Sequence, residues 1–458
     1  MMWIVLYTAV AIANRGVLPL SGAPYFGVIA AETTVLLLPY LADHFFAPKL
    51  SGLAATLIFP LSWAGVEFLS GYIPAKGSWE SVAYTQYGNV ALMQVAAFTG
   101  LAGITFLIGW FAAIANWAWD RGFEPDAVRG GALLYAAVLS VVLLAGAARV
   151  ARASSGGRTI RVAAVSSAGG IFKPGEVTRI LQGKVREEER EPFRQKLLSV
   201  QNWLLEKART EARAGANLVI WPEADLIIFR EDESAFLERA QRLAAEEKIY
   251  LLMGLGVIHL GVRRPFENKA VLVNPSAEIQ FSYRKSRGAP GWETEVYQPG
   301  DGHLPVTDTA LARVAPAICF EMDFPFFISQ AGRAGADVLL VPANDWEKIK
   351  DVHFRMAVFR AVENGVSLVR ATKSGVSGAV DPYGRLLAAT DHFSPDARAM
   401  VAQVPVARVP TFYARFGDLF AWLCILALLS LIVFGLRQSR QQRDYAHGTP
   451  AAARNLHR

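Results

Sequence analysis

Residues 313–321 read Arg313-Val-Ala-Pro-Ala-Ile-Cys319-Phe320-Glu321, an apolar run that halts at a thiol and then turns polar. An apolar run this short, bounded by polar residues, predicts a buried strand. Phe324-Pro325 opens the next periodic stretch, which predicts a helix over 324–334. A thiol at such a strand-to-helix turn can face a cleft with backbone N–H groups aimed at its target. Two other apolar runs end in the same way. Leu218-Val-Ile-Trp221 leads into Pro222-Glu223, and a strand over 278–284 leads into Lys285. A thiol near its free pKa is only partly ionised at neutral pH, so it needs a base or a positive field. A partly desolvated Glu223 is a candidate general base. Lys285 brings fixed positive charge for an oxyanion, and the N–H of Phe320 is a candidate second donor.

Around these residues, strand-like and helix-like patterns alternate. Strands are expected at 159–166, 217–221, 249–257, 269–274, 278–284, 312–318, 337–342, 367–371, 377–381 and 398–405. Helices are expected at 193–214, 234–246, 324–334 and 352–364. Asn274-Pro275-Ser276-Ala277 marks a hairpin turn. This alternation implies layered sheets covered by helices.

The chain has 458 residues, 53% of them hydrophobic. The apolar excess is uneven, because residues 1–148 hold only twelve of the 86 Asp, Glu, Lys and Arg. A membrane helix needs about 20 apolar residues. Residues 24–42, 51–70, 90–118, 131–148 and 419–436 meet or approach that, with 90–118 long enough for a span plus a re-entrant piece, and 2–14 is a shorter candidate. The expected organisation is an N-terminal transmembrane region (1–149, about five spans), a catalytic domain (157–410), a C-terminal span (417–436) and a disordered cytoplasmic tail (437–458). Arg437, Arg440, Arg443, Arg454 and Arg458 in the tail, with one acid, put that end in the cytoplasm by the positive-inside rule. The domain one span earlier is then extracytoplasmic.

Other classes fit less well. The net charge of +6 comes without a basic helix interleaved with aromatics, so nucleic acid is not an expected partner. The two cysteines, Cys319 and Cys424, are not expected to pair, since Cys424 lies inside an apolar span. No zinc signature surrounds His353, and Gly254…Gly256 lacks the third glycine of a dinucleotide loop. Neither a metal nor a cofactor is expected. Glu67 lies inside a candidate span, where an acid suggests function or a reach to the interface.

The combination resembles the nitrilase superfamily, whose Glu-Lys-Cys triad sits in an αββα sandwich. The spans narrow the resemblance to the apolipoprotein N-acyltransferase family, in which the nitrilase-like domain is inserted before the last span. Matching pieces are Trp221-Pro222-Glu223, Lys285…Pro290…Glu293, Ile318-Cys319-Phe320-Glu321 with Phe324-Pro325, and Asn344-Asp345-Trp346. His353…Met356-Ala357…Arg360-Ala361…Glu363, Arg370-Ala371-Thr372 and Asp381-Pro382…Gly384 also match, as do Trp63…Glu67 and Gly77-Ser-Trp79…Tyr84…Gln86. Phe320 stands where the family usually has Tyr.

The resemblance implies an α-helical transmembrane bundle plus an α/β nitrilase-like αββα domain. It implies Cys319 as nucleophile, Glu223 as base and Lys285 as stabiliser of the tetrahedral intermediate. Glu293, Phe320, Glu321, Trp221, Asn344 and His353 would support them. The implied reaction moves a fatty acyl group from a phospholipid to the N-terminal diacylglyceryl-cysteine of an apolipoprotein, in the bacterial inner membrane with the catalytic domain on the periplasmic face. The alternatives are a membrane-anchored amidase or hydrolase, an acyltransferase with another amine acceptor, and an inactive scaffold.

Overall fold

The computed structural model describes residues 1–18, 20–153, 157–167, 171–173, 175–394 and 399–447. The first third is helical: α1 (Met2–Ala13), α2 (Gly22–Phe46), α3 (Ile58–Ser70), α4 (Val90–Met93), α5 (Ala96–Thr99), α6 (Leu101–Trp119) and α7 (Pro125–Ala151). Among the described residues, five helical stretches are by length and composition long and apolar enough to cross a membrane: Gly22–Lys49, Gly52–Ser70, Leu101–Trp119, Val128–Ala151 and Leu419–Gln441. Four of these precede the polar domain, where about five were expected. The difference is α1, whose twelve residues reach about 18 Å against a hydrocarbon core of ~30 Å. It is strapped to α2 instead, with Tyr25 OH donating to Ala11 O at 2.6 Å. The stretch 90–118 divides at Gly100 into two one-turn helices, α4 and α5, and the span α6.

The polar segment contains β1 (Thr159–Val165), β2 (Leu218–Ile220), β3 (Leu226–Phe229), β4 (Tyr250–Ile258), β5 (Phe266–Val273), β6 (Ile279–Arg284), β7 (Thr307–Asp308), β8 (Arg313–Pro316), β9 (Val338–Asn344), β10 (Ser367–Lys373), β11 (Val376–Val380), β12 (Leu386–Asp391) and β13 (Ala399–Pro405). Its helices are α8 (Glu176–Leu181), α9 (Glu187–Arg213), α10 (Glu233–Glu247), α11 (Trp292–Val296), α12 (Pro325–Arg333), α13 (Lys350–Asn364) and α14 (Phe412–Phe416). One sheet runs β13-β1-β2-β4-β5-β6 with β3 also on β4, and the other runs β12-β11-β10-β9-β8-β7.

Side-chain alternation sorts the layers of the first sheet. Val162, Ala164, Leu218, Ile220, Leu252, Ala270 and Leu272 face the core shared with the second sheet. Their neighbours Ala163, Val165, Val219, Trp221, Leu251, Met253, Val271 and Val273 face Val200, Leu204 and Ala208 of α9 and Phe236, Ala240 and Leu243 of α10. On the second sheet α13 packs through Phe354, Val358, Phe359 and Val362. The result is an αββα sandwich, inserted before the last spanning helix.

The sandwich and the membrane part share one interior. Ala83, Tyr84, Met93, Ala96, Ala97 and Ile104 lie in the same core cluster as α13. Tyr84 meets Phe359 edge-on at 5.3 Å, and Arg360 Nη2 donates to Tyr84 OH at 3.2 Å.

Three departures from the sequence reading have local causes. α9 begins at Glu187 rather than at 193, and its first turn carries Glu187, Glu188 and Glu189, which suit a helix N-terminus. Pro192 is tolerated inside it, where Arg194 Nε donates to Asp232 at 2.8 Å. β3 is not among the expected strands, being a second piece of β2's edge: β2 pairs with 250–252 of β4 and β3 with 255–258. The five residues between, Trp221–Asp225, bow out of the sheet. The bow needs Gly254 beneath it, since a Cβ there would lie 1.9 Å from Pro222 O. That is the structural use of the Gly254…Gly256 pair. Lastly, the C-terminal helix α15 (Leu419–His447) extends through 437–447, where disorder was expected. Residues 448–458 lie outside the described ones.

Candidate active site

The bow at 221–225 lifts Glu223 off the end of β2 and points it toward the end of β6. Glu223 is buried, and its Oε1 accepts from Lys285 Nζ at 2.7 Å and from Asn268 Nδ2 at 2.7 Å. Lys285 is 1% exposed. It is held there by its own backbone, which donates to Asn268 O and accepts from Gly300 N–H. Its ammonium also meets both oxygens of Glu293 at 2.9 Å. Glu293, on α11, takes Asn268 Nδ2 at 3.0 Å and Ala289 N–H at 2.7 Å. Burial would push the Lys285 ammonium pKa down, but Glu223 and Glu293 outweigh it, and the pKa lies well above the usual lysine value. Lys285 is a fixed cation.

Cys319 begins a 3-10 turn, Cys319–Asp323, separated from the end of β8 by two residues. Its backbone has φ +49°, left-handed for a residue with a side chain. Such a conformation costs about 1–3 kcal/mol and persists only where its surroundings impose it. The Sγ donates to Asn344 O at 3.5 Å. Burial raises the thiol pKa well above its ordinary value; the Glu223 charge adds to the rise and Lys285 opposes it. The resting group is therefore the thiol, and making a thiolate requires a base.

Two buried networks brace this turn. Glu321, the second residue past Cys319, accepts Tyr283 OH at 2.5 Å, Ser286 N–H at 2.6 Å and Ile318 N–H at 2.7 Å. Burial lifts its carboxyl to about 7 despite those three donors. On the other side His353 bridges Asp345 (Nδ1, 2.6 Å) and Asp323 (Nε2, 3.0 Å). Arg370 clamps both Asp345 oxygens at 2.8 and 3.0 Å. Burial lowers the His353 pKa, but Asp345 and Asp323 raise it more, to about 9, so the ring is an imidazolium.

Donor atoms of Cys319, Asp345 and His353 lie within 4.8 Å of one another, as metal ligands would. They fit a metal poorly. Both His353 nitrogens and both Asp345 oxygens are already committed to ion pairs, and a protonated imidazole offers no lone pair.

The structure thus brings Glu223, Lys285, Cys319, Glu293 and Glu321 into one buried cluster, with His353 behind the Cys319 turn. Phe320 lies against Phe324 at 5.2 Å. Asn344 contributes its carbonyl, while its side chain is exposed. Trp221 is not part of the cluster. It lies on the opposite face of the sheet, against Phe236 at 6.3 Å.

Asn268 escaped the sequence reading, although it joins the two carboxylates that hold Lys285. The available signal was Glu267-Asn268-Lys269, three polar residues in succession inside a strand, all of them buried.

A cleft opens between the spans and the sandwich; Gly77, Ser78, Pro325 and Phe326 carry it up to the Cys319–Asp323 turn, though Cys319 itself does not line it. Val35, Leu36 and Phe68 line its membrane side, Trp79 of the loop after α3 its rim, and Phe326 its domain side. Trp79 also meets the His353 ring edge-on at 6.2 Å.

Comparison with known proteins gives the family. Residues 179–412 match the family model of carbon-nitrogen hydrolases, and residues 1–114 match that of the apolipoprotein N-acyltransferase N-terminal domain. The chain is 27% identical over 414 residues to an apolipoprotein N-acyltransferase of Geobacter metallireducens, covering 84% of this chain and 75% of that one. It is 26% identical over 460 residues to one of Azotobacter vinelandii, covering 95% and 83%. Among solved structures it is similar to an amidase from Nesterenkonia sp., with 21% identity, a TM-score of 0.45, and 57% of this chain and 96% of that chain covered. By the extent of these family matches, the chain belongs to the carbon-nitrogen hydrolase family, among the members that carry the apolipoprotein N-acyltransferase N-terminal domain.

Proposed function

We propose that this chain transfers a fatty acyl group from a membrane phospholipid, through a thioester on Cys319, to the α-amino group of an S-diacylglyceryl-cysteine at the N-terminus of an apolipoprotein. The observation that carries this is a buried Glu223–Lys285–Cys319 cluster next to a cleft walled by membrane-spanning helices. The names of the relatives support the acceptor.

Glu223 takes the thiol proton as Sγ attacks the ester carbonyl. The oxyanion that forms faces the Lys285 ammonium and the Phe320 N–H. Collapse breaks the ester C–O bond, and Glu223 returns the proton to the departing lysophospholipid oxygen. In the second half the acceptor amine attacks the thioester and gives a proton to Glu223. The C–S bond breaks, and the thiolate recovers that proton as the amide forms. Such a route predicts ping-pong kinetics. Glu293 and Asn268 keep Lys285 aimed without titrating it, and the His353 network holds the Asn344 carbonyl against the thiol. We place the protein in the bacterial inner membrane with the sandwich on the periplasmic face, a reading supported by the arginines of the tail.

Intact-mass spectrometry of the purified chain after incubation with phospholipid tests this. An acyl adduct on the wild type and not on Cys319→Ala, cleaved by hydroxylamine and discharged by a diacylglyceryl-cysteine peptide, is the expected result. An adduct discharged only by water would make the chain a hydrolase instead.

A further inference from the structure

Arg287 lies two residues past Lys285, and the chemistry above gives it no role. Its guanidinium rests over three rings, 4.5 Å from the Phe324 centroid, 4.8 Å from Phe326 and 5.3 Å from Phe327. A half-buried arginine usually also meets a carboxylate. Among the described residues Arg287 takes part in no ion pair, and its Nε is buried without a hydrogen-bond partner. The acid whose field it feels most is Glu321, but that carboxylate is saturated by Tyr283, Ser286 and Ile318. A planar fork of N–H donors is therefore left uncommitted beside the nucleophile turn.

Its height in the molecule says what could meet it. Phe326, one of the three rings, is also stacked by Tyr72 at 5.1 Å with planes 11° apart. Tyr72 lies two residues past Ser70, where the span ending in α3 stops. A spanning helix leaves the hydrocarbon at the level of the lipid headgroups. Tyr72 and Phe326 both line the cleft between the spans and the sandwich. Arg287 is thus a cation at headgroup depth, one ring away from the space in which acyl chains would lie.

We propose that Arg287 binds the phosphodiester oxygens of the donor phospholipid and so sets which ester bond faces Cys319. The proposal rests on the phospholipid-donor reading. The guanidinium fork matches two phosphate oxygens at once. Lys285 is not the headgroup's partner, because it is 1% exposed and already faces the reacting carbonyl in the chemistry above. The aromatic platform under Arg287 fixes the plane of the fork in advance, which lowers the cost of ordering it on binding.

The test compares two acyl donors on the full-length protein, reading the rate of the Cys319 adduct by intact mass. One donor is phosphatidylethanolamine; the other is a p-nitrophenyl ester of the same acyl chain, which has no phosphate. Arg287→Ala should slow the phospholipid reaction about tenfold, the value of a charged hydrogen bond, and leave the nitrophenyl reaction unchanged. Arg287→Lys, which keeps charge but not the fork, should fall between. Equal slowing of both donors, or of neither, in a variant that melts like the wild type, would overturn the proposal. An adduct from the nitrophenyl ester but never from phospholipid in the wild type would instead sink the donor reading beneath it. Inorganic phosphate at constant ionic strength should not slow the wild type. Slowing to the Arg287→Ala rate would make this a site for a free anion and remove the lipid from the proposal.

Discussion

Ser78 donates twice to a single acceptor, with its N–H and its hydroxyl each 2.7 Å from Asp323 O. Ser78 follows a membrane span, and Asp323 closes the nucleophile turn. Gly77, just before it, has φ +58° and approaches so closely that a Cβ would lie 2.6 Å from Asp323 O. Ser78→Ala should weaken this join by about 1 kcal/mol, and Gly77→Ala should cost more, because it adds a clash to left-handed strain. Both should slow Cys319 acylation while circular dichroism of the sandwich stays native. Unchanged acylation in Gly77→Ala would separate the loop from the site.

The base and the cation should behave differently from the nucleophile when altered. Cys319→Ala abolishes the adduct. Glu223→Gln keeps an acceptor for Lys285 but cannot take the thiol proton, and should reduce acylation about 10²–10⁴-fold. Lys285→Ala should cost about 10²–10³-fold, and it also leaves Glu223 and Glu293 facing each other without a cation. Time courses of adduct formation give all three rates.

Asn268 bridges Glu223 and Glu293 through one amide group. Asn268→Ala should destabilise the protein by about 1–3 kcal/mol, the cost of a buried group left without its donor. Asn268→Asp should be worse, since it sets a third carboxylate beside the other two. Chemical denaturation of the three proteins in the same detergent orders them.

His353 makes stability depend on pH in a definite direction. Its pKa rises from 6.5 unfolded to about 9 folded, through Asp345 and Asp323 and against burial and Arg370. The folded state holds the proton more tightly. The stability this group gives is therefore complete below pH 6.5 and fades as pH climbs through 9. His353→Gln, which keeps a donor but no charge, should flatten the fall in melting temperature over that interval.

Gly254→Ala tests the bow that carries the base. Its Cβ would meet Pro222 O at 1.9 Å, so Trp221–Asp225 must move and take Glu223 with it. Acylation should drop as far as in Glu223→Gln, although the substitution adds one methyl group inside a strand. Wild-type rates in this variant would contradict the geometry.

What the sequence made legible follows from where its signals are local. Cys319 and Glu223 each stand just past an apolar run and Lys285 at the end of an alternating strand, so strand ends and chemistry could be read together. The hairpin at 274–277 and the helix over α13 were likewise local patterns. Asn268 was invisible because its role depends on pairing across β5 to residues 45 and 25 positions away. Trp221 and Glu223, two positions apart, would share a face in a regular strand; the bow at 221–225 leaves Trp221 on the helix side and turns Glu223 away from it. β3 hid because it continues a strand that the chain had left. The length of α1 was plain, but what it leans on was not.

The interior shared by Met93, Ala96 and Ala97 with Val358 and Val362 has a consequence for how this protein can be handled. The sandwich is not a portable module. Cut at 157 and 410, it would bare the outer wall of α13, at about 1.5–3 kcal/mol for each large apolar side chain returned to water, against the about 5–15 kcal/mol that holds a domain together. Enzyme and membrane anchor are therefore to be purified as one piece, in a detergent that keeps both folded.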